Sequence, residues 1–195
     1  MYRLIESIKI QNKKLLNIEW HDRRFNEARR KLYGKFTTVE LEKLIFLPEL
    51  ADNKVYKCRV LYGPDIDEVD VQLYIPRNLK TLKLVEDNEI DYRFKYEDRS
   101  AFEKLLTQKG EADDILIVKN GFITDTSYSN IIFFDGSKWI TPDTYLLNGT
   151  QRQRLLYEGK IVEERITPED LHRFELVKPI NTMLNIEATS SVTIV

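Results

Sequence analysis

The sequence is poor in the residues that form disulfides and transition-metal sites. Its single cysteine, Cys58, excludes an internal disulfide and any metal site built from several cysteines. Its only histidines are His21 and His172, so we expect neither a zinc nor an iron centre. Composition therefore gives no support to a metal-based function.

The chain also lacks long apolar segments and an excess of one charge. No apolar run approaches the roughly 20 residues of a membrane helix, and residues 1–6 have neither the apolar core nor the cleavage site of a signal peptide. We therefore expect a cytoplasmic protein. The 30 basic and 32 acidic residues give a formal net charge of -2, so neither nucleic acid nor a membrane is an expected partner.

What the chain does have is enough apolar material for a self-sufficient core. It is 195 residues long and 42% hydrophobic, which allows one domain or two small ones. The charged stretch 86–89 is the best candidate for a link, and it divides the chain into an N-terminal subdomain, 1–86, and a C-terminal one, 90–195.

Hydrophobic periodicity predicts the elements of the N-terminal part. A strand over 4–10 precedes a helix from Asp22 to about Tyr33, which Gly34 is well placed to end. A capping box of Thr37 and Glu40 predicts another helix. Alternating residues then predict an antiparallel hairpin over 55–75, followed by a strand over 79–85.

Turn signals organise the C-terminal part. A helix is predicted over 100–108, and the dipeptide Asn120-Gly121 predicts a hairpin. The predicted three-strand meander comprises 115–118, 122–126 and 130–134, with a further strand over 138–141, a short helix after Thr167 and a last apolar stretch over 180–186.

Five segments, taken in order, resemble a known enzyme family. They are His21–Phe25, Phe94–Arg99, Asp114–Ile131, Thr141-Pro142 and Leu147–Arg152. Together they resemble the signatures of the class IV aminotransferases, a family that includes branched-chain aminotransferases, D-amino acid aminotransferases and 4-amino-4-deoxychorismate lyases. Each segment alone would be weak evidence, and their order makes the resemblance specific.

The resemblance implies an α/β (α+β) protein of the pyridoxal phosphate fold type IV. That fold has a small N-terminal α/β subdomain and a larger β-rich pseudobarrel as its C-terminal subdomain, with the cofactor pyridoxal 5'-phosphate between them. Relatives have additional residues before the segment matched by Leu4–Ser7. We therefore expect a partner subunit to cover an edge of the small subdomain in a homodimer.

The resemblance also implies roles for two residues in the chemistry. Lys95 matches the lysine whose amine condenses with the cofactor and moves protons at the substrate α carbon. Asp125 stands where the family usually has glutamate, and its role would be to accept a hydrogen bond from the protonated pyridine nitrogen. The alternative, without the resemblance, is that Lys95 is an ordinary surface lysine and that Asp125 is a solvated turn residue.

The remaining cofactor contacts would bind the phosphate. Gly149, Thr150 and Gln151 offer backbone amides at a helix start, where unpaired N–H groups favour an anion. The resemblance adds the guanidinium of Arg24 and the hydroxyl of Thr182 on the last strand. The alternative for Arg24 is a basic, solvated helix face, and the more common role for a histidine such as His21 is structural.

The substrate expected from the resemblance is a small amino compound with a carboxylate. Arg59, Arg77 and Arg99 are candidates for binding that carboxylate by paired hydrogen bonds. A 4-amino-4-deoxychorismate lyase of folate biosynthesis, releasing pyruvate and 4-aminobenzoate, is favoured over an amino-acid transaminase by the chain's short length and by Asn181–Leu184. A catalytically degenerate structural subunit is a hypothesis of a different class, and a nucleic-acid binder built on the basic helix is a more distant one.

Overall fold

The computed structural model describes residues 2–187 and 189–195, and its contacts divide the chain into two compact units. The first comprises Met1–Pro76 and Phe94–Asp98, and the second comprises Arg77–Arg93 and Arg99–Val195. This division differs from the expected boundary at 86–90. The strand at Thr81–Glu86 pairs with Asp114–Lys119 of the second unit, so its backbone bonds place it there.

The first unit is built on a four-stranded antiparallel sheet beside a long helix. The sheet order is β2-β1-β3-β4, with β1 at Leu4–Gln11, β2 at Lys14–Leu15, β3 at Val55–Tyr62 and β4 at Ile66–Leu73. Helix α1 spans Ile18–Tyr33 and ends at Gly34, whose φ of 65° is the left-handed conformation that glycine adopts at low cost. The predicted hairpin and the end of the helix are thus confirmed.

Apolar side chains of α1 and of the sheet form the core of this unit. Phe25 and Ala28 of the helix pack in one cluster with Ile8, Cys58 and Val60 of the strands, all of them buried. Cys58 is a core residue, as expected, and burial raises the pKa of its thiol to about 11.

The second predicted helix of this unit is reduced to a single 3-10 turn at Leu41–Lys43. Side chains of α1 accept hydrogen bonds from backbone N–H groups of this segment. The Asn26 side chain accepts from Val39 N–H at 2.8 Å, and Asp22 accepts from Leu41 N–H at 2.8 Å. Pro48 further limits continuation of a helix, because it has no N–H to donate.

The second unit contains two four-stranded sheets. The order of one is β12-β5-β6-β7, with β5 at Thr81–Glu86, β6 at Asp114–Lys119, β7 at Phe122–Thr126 and β12 at Thr193–Ile194. The order of the other is β10-β9-β8-β11, with β8 at Asn130–Phe134, β9 at Trp139–Pro142, β10 at Val162–Glu164 and β11 at Leu176–Ile180. Helices α2 at Ser100–Leu106 and α3 at Thr150–Tyr157 and a 3-10 helix at Pro168–Arg173 complete the unit.

The predicted three-strand meander is only half right. Strands β6 and β7 form the expected hairpin around Asn120 and Gly121, but β8 pairs with β9 and β11 in the other sheet. A tight turn separates β7 from β8, and in it Thr126 N–H donates to Ser129 O at 2.9 Å. The chain therefore passes from one sheet to the other at this turn.

The mixed α/β class predicted from the sequence is confirmed by these sheets and helices. Within the residues described, no helix is both long and apolar enough to cross a membrane.

Candidate functional site

Lys95 belongs to the short segment Phe94–Asp98, which lies beside the start of β1. Its carbonyl accepts from Ile5 N–H at 2.9 Å, and Glu97 N–H donates to Arg3 O at 2.8 Å. The Lys95 side chain is half-buried. The backbone bonds therefore fix the position of the lysine against a strand of the first unit.

A buried charge cluster occupies the same end of β1. The carboxylate of Glu6, which is fully buried, accepts from Arg24 Nε at 2.8 Å and from Arg24 Nη2 at 2.5 Å. His21 Nδ1 lies 2.6 Å from Glu6 Oε2. Glu6 thus holds the Arg24 guanidinium through two parallel bonds, the arrangement that fixes the orientation of an arginine most strongly.

Protonation states in this cluster follow from burial and from neighbouring charges. Burial by itself would raise the pKa of Glu6, but the charge of Arg24 and the hydrogen bonds from His21 and Arg24 outweigh it and lower the pKa from 4.5 to about 2. Burial lowers the pKa of His21 below 6.5, and the charges of Arg24 and Lys95 lower it further, against the opposing effect of Glu6. At neutral pH the cluster therefore contains one carboxylate, one guanidinium and a neutral imidazole.

Arg24 is thus more than a member of a solvated basic face. Arg29, on the same helix, is buried and donates to Pro64 O at 2.8 Å and to Thr37 O at 3.0 Å, which ties α1 to the following loops. His21 is a buried histidine paired with a carboxylate, which agrees with the structural role expected for it.

The second unit presents the start of α3. Gly149 is the residue before the helix, and Thr150 and Gln151 open it, both of them buried. Among the residues that the structure describes, Gln151 Nε2 has no hydrogen-bond partner, while Oε1 of the same amide accepts from Arg154 at 3.2 and 3.3 Å. A buried donor without an acceptor is costly, and the unpaired N–H groups in the first turn of a helix also favour an anion.

Asp125 lies near the end of β7 with its carboxylate surrounded by donors. Asn130 Nδ2 donates to Oδ1 at 2.8 Å, and the N–H groups of Leu146 and Leu147 donate to Oδ2 at 3.0 Å each. Burial raises the pKa of Asp125 from 3.8 to about 6, against the lowering effect of these bonds and of Arg152. The side chain is therefore not a solvated turn residue.

Arg152 fixes the loop before α3. Its Nη1 donates to Asn148 Oδ1 at 3.2 Å and its Nη2 to Pro142 O at 3.0 Å, and it pairs with Glu163. The guanidinium also stacks 4.2 Å from the Tyr145 ring centroid. These contacts give the arginine of the Gly149–Arg152 segment a structural role.

Thr182 is found after β11 rather than on a strand. It is half-buried in a turn between Asn181 and Leu184, which form a bridge. Asn181 Nδ2 donates to Ser129 Oγ at 2.8 Å and thereby ties this turn to the β7–β8 turn. Thr182 therefore lies two residues beyond Ile180, where β11 ends, and not on a strand as expected.

The three arginines proposed for the substrate carboxylate have different surroundings. Arg59 pairs with Glu97 at 2.9 Å. Arg99 donates to Ser127 O at 2.5 Å and stacks on Phe102 at 4.6 Å. Arg77 is exposed, with its guanidinium 5.0 Å from the ring centroid of Tyr128.

Two residues of these clusters were not singled out from the sequence. Glu6 shares a strand face with Leu4 and Ile8, and a charged residue in the middle of an apolar face is a signal that it needs a buried partner. Asn130 lies within a segment that resembles the family, but nothing in its spacing predicts which backbone groups it contacts.

The part of the chain that the structure describes contains no group of three or more histidine, cysteine, aspartate or glutamate side chains that could hold a metal ion.

Comparison with known proteins places this chain in a family. The profile described as amino-transferase class IV matches residues 93–192. An uncharacterized protein of Haemophilus influenzae is 42% identical over 185 residues, which are 94% of this chain and 98% of that protein.

Solved structures agree with the family match. A crystal structure from Haemophilus somnus 129PT, of a protein provisionally assigned as a 4-amino-4-deoxychorismate lyase, is 35% identical with a TM-score of 0.86, over 94% of this chain and 97% of that one. The fold is also shared with an aminotransferase from Brucella abortus bound to pyridoxal phosphate, at 16% identity and a TM-score of 0.73, over 98% of this chain and 81% of that one. The chain belongs to the class IV aminotransferase family and has the fold type IV architecture.

Proposed function

We propose that the protein is a pyridoxal 5'-phosphate enzyme that acts as a 4-amino-4-deoxychorismate lyase. The observation that carries the proposal is the similarity, over nearly the whole chain, to the Haemophilus somnus protein provisionally assigned to that activity. A local match in the same direction is a Schizosaccharomyces pombe protein provisionally assigned as an aminodeoxychorismate lyase, which is 38% identical over 60 residues.

The donor set of this chain fits the cofactor. A phosphate needs cations and N–H donors. The first unit offers Arg24, and the second offers the amides that open α3 and the buried Nε2 of Gln151, which has no hydrogen-bond partner among the described residues. Thr182 would add a hydroxyl. When bound, pyridoxal phosphate supplies an aldehyde that condenses with amines and a ring that withdraws electrons from the substrate α carbon.

Lys95 is the proposed catalytic residue. Its amine would hold the aldehyde, exchange with the substrate amine and then remove the proton from the substrate α carbon. The backbone bond from Ile5 restrains the lysine, and Glu6, the next residue of β1, orients Arg24. One strand end would thereby set both the reacting amine and a phosphate-binding cation.

Asp125 is the proposed partner of the ring nitrogen. A carboxylate offers about four acceptor positions, and three hydrogen bonds from the chain's own groups reach Asp125. One position therefore remains for the protonated pyridine nitrogen.

The substrate bears carboxylates, and Arg77 is the best-suited of the three candidate arginines, because its exposed guanidinium rests on Tyr128. Elimination from 4-amino-4-deoxychorismate would break the bond to the enolpyruvyl oxygen and give pyruvate and 4-aminobenzoate. We also propose that the protein is a homodimer, which light scattering of the purified protein would test.

Two incubations test the proposed reaction. Purified protein with pyridoxal phosphate is given 4-amino-4-deoxychorismate in one and an amino acid with 2-oxoglutarate in the other. Formation of 4-aminobenzoate and pyruvate supports the lyase. Exchange of the amino group to the keto acid, without 4-aminobenzoate, would instead identify a transaminase, and a colourless protein in excess cofactor would identify a degenerate subunit.

A further inference from the structure

Two side chains that flank the β7–β8 turn are bonded to the segment that leads into α3. Asp125 accepts the N–H groups of Leu146 and Leu147 at 3.0 Å each. Asn130 Nδ2 bridges the two partners, donating to Asp125 at 2.8 Å and to Leu147 O at 2.8 Å. Both side chains are buried, at 6% and 7% exposure, so these bonds form away from water and are costly to lose.

The Asn130 side chain also lies close to Gly149 of the same segment. Its φ of -64° and ψ of 146° are open to any residue, so its backbone conformation does not require glycine. The requirement is space: a Cβ atom at Gly149 would lie 2.2 Å from Asn130 Oδ1. The Asn130 side chain thus contacts the residue immediately before the first turn of α3.

We propose that Asp125 and Asn130 are positioning residues that fix residues 146–149 and thereby set where the first amides of α3 meet the phosphate. The inference rests on the proposed cofactor function, since it gives a purpose to the turn that would hold the phosphate. Asp125 would then have a second role besides the proposed contact with the ring nitrogen. The hydrogen bonds of this second role use most of the acceptor positions of the carboxylate.

Aspartate is suited to accept these hydrogen bonds because its carboxylate stays close to the backbone. A glutamate carboxylate would stand one methylene further from β7 and could not keep the same bonds to Leu146 and Leu147 without a backbone shift.

The first test needs no cofactor. Hydrogen exchange at the amides of Leu146 and Leu147 is measured in the wild-type protein, in Asp125→Ala and in Asp125→Asn, which keeps one acceptor oxygen. We expect exchange in Asp125→Ala to accelerate by about tenfold or more, with Asp125→Asn between it and the wild type. The matched control is Asp135→Ala, which removes a carboxylate that accepts from Ser137 and Lys138 in the β8–β9 turn. Unchanged exchange in Asp125→Ala would overturn the proposal.

The second test separates the phosphate from the ring. Affinities are measured for pyridoxal phosphate and for pyridoxal, which lacks the phosphate. A positioning role predicts that Asp125→Ala weakens the phosphate form by about tenfold more than pyridoxal. Equal loss for both would assign the residue to the ring alone and overturn the inference. Failure of the wild-type protein to bind pyridoxal phosphate would overturn the proposed function itself, and it is seen before any variant is made.

A double-mutant cycle keeps the proposal testable if Asp125→Ala does not fold. Gly149→Ala places a methyl group against Asn130, so its cost in phosphate-form affinity should fall when Asn130→Ala removes the obstructing amide. Strict additivity of the two changes would contradict the contact on which the proposal depends.

Discussion

The carboxylate of Glu6 and the guanidinium of Arg24 form a bidentate pair, with Nε and Nη2 at 2.8 and 2.5 Å from the two carboxylate oxygens. Glu6 is fully buried on the apolar face of β1, and Arg24 projects from α1. The pair therefore joins the sheet and the helix of the first unit, and it orients a proposed phosphate contact through a residue outside the five segments that carry the resemblance.

Replacing Glu6 by glutamine should destabilise the protein, because Arg24 loses a buried countercharge. The pKa of Glu6 is lowered from 4.5 to about 2, so its stabilising contribution is complete above pH 4.5 and is lost as the pH falls towards 2. Two to three pKa units correspond to about 3 kcal/mol.

The measurement is the unfolding free energy of the wild type and of Glu6→Gln between pH 7 and pH 2. We expect the difference between the two proteins to be largest at neutral pH and to shrink in the acid range. A difference independent of pH would show that Glu6 is not held ionised by Arg24.

Gln151 offers a prediction in which affinity changes much more than stability. Gln151→Met removes a buried donor that has no partner among the described residues, but it also removes the two bonds that Oε1 accepts from Arg154. These effects oppose each other, so the unfolding free energy of the cofactor-free protein should change by less than about 1 kcal/mol. The affinity for pyridoxal phosphate should fall by about tenfold, since a phosphate contact is lost.

Gln153→Met is the matched control for that experiment. Gln153 Nε2 donates to Asn148 O at 2.8 Å, so its replacement removes a satisfied bond and should lower stability. Loss of stability in Gln151→Met with unchanged cofactor affinity would remove this side chain from the proposed site.

Replacing Arg99 should affect stability, whereas replacing Arg77 should affect substrate binding. Arg99→Gln loses the bond to Ser127 O and the stacking on Phe102, so it should lower stability by about 1–3 kcal/mol. Arg77→Gln should change stability by less than about 0.5 kcal/mol and raise KM for a carboxylate substrate more than it lowers kcat. Thermal unfolding and steady-state kinetics of both variants test this, and an unchanged KM in Arg77→Gln would move the carboxylate contact to another residue.

Local patterns in the sequence predicted much of the fold. The end of α1 at Gly34, the β3–β4 hairpin and the β6–β7 hairpin at Asn120-Gly121 all follow from periodicity and turn chemistry. These features depend on residues close in the chain, which is the range over which such patterns act.

Long-range pairing was beyond those patterns. The parallel pairing of β5 with β6 places Thr81–Glu86 in the second unit, and β8 joins a different sheet from β7. The segment after α1 forms only the 3-10 turn at Leu41–Lys43, whose start is held to α1 by Asp22 and Asn26 and which is followed by Pro48. Each outcome depends on which distant groups meet, and a hydrophobic pattern does not encode that.

In the candidate site, too, some residues could be predicted from the sequence and others could not. Resemblance to the family pointed to Lys95, Arg24, Asp125 and the start of α3, whereas the partners of these residues, Glu6 and Asn130, became visible only in the structure. A buried charge on an apolar strand face was the one signal in the sequence for Glu6.

The proposed enzyme requires that the amine of Lys95 hold the cofactor aldehyde. The most direct measurement is borohydride reduction of the protein in the presence of pyridoxal phosphate, followed by peptide mass spectrometry, with Lys95→Ala as the control. We expect a reduced pyridoxyl group on Lys95 and its disappearance in the variant. A label on another lysine, or a wild-type protein that stays colourless and unlabelled in excess cofactor, would contradict it.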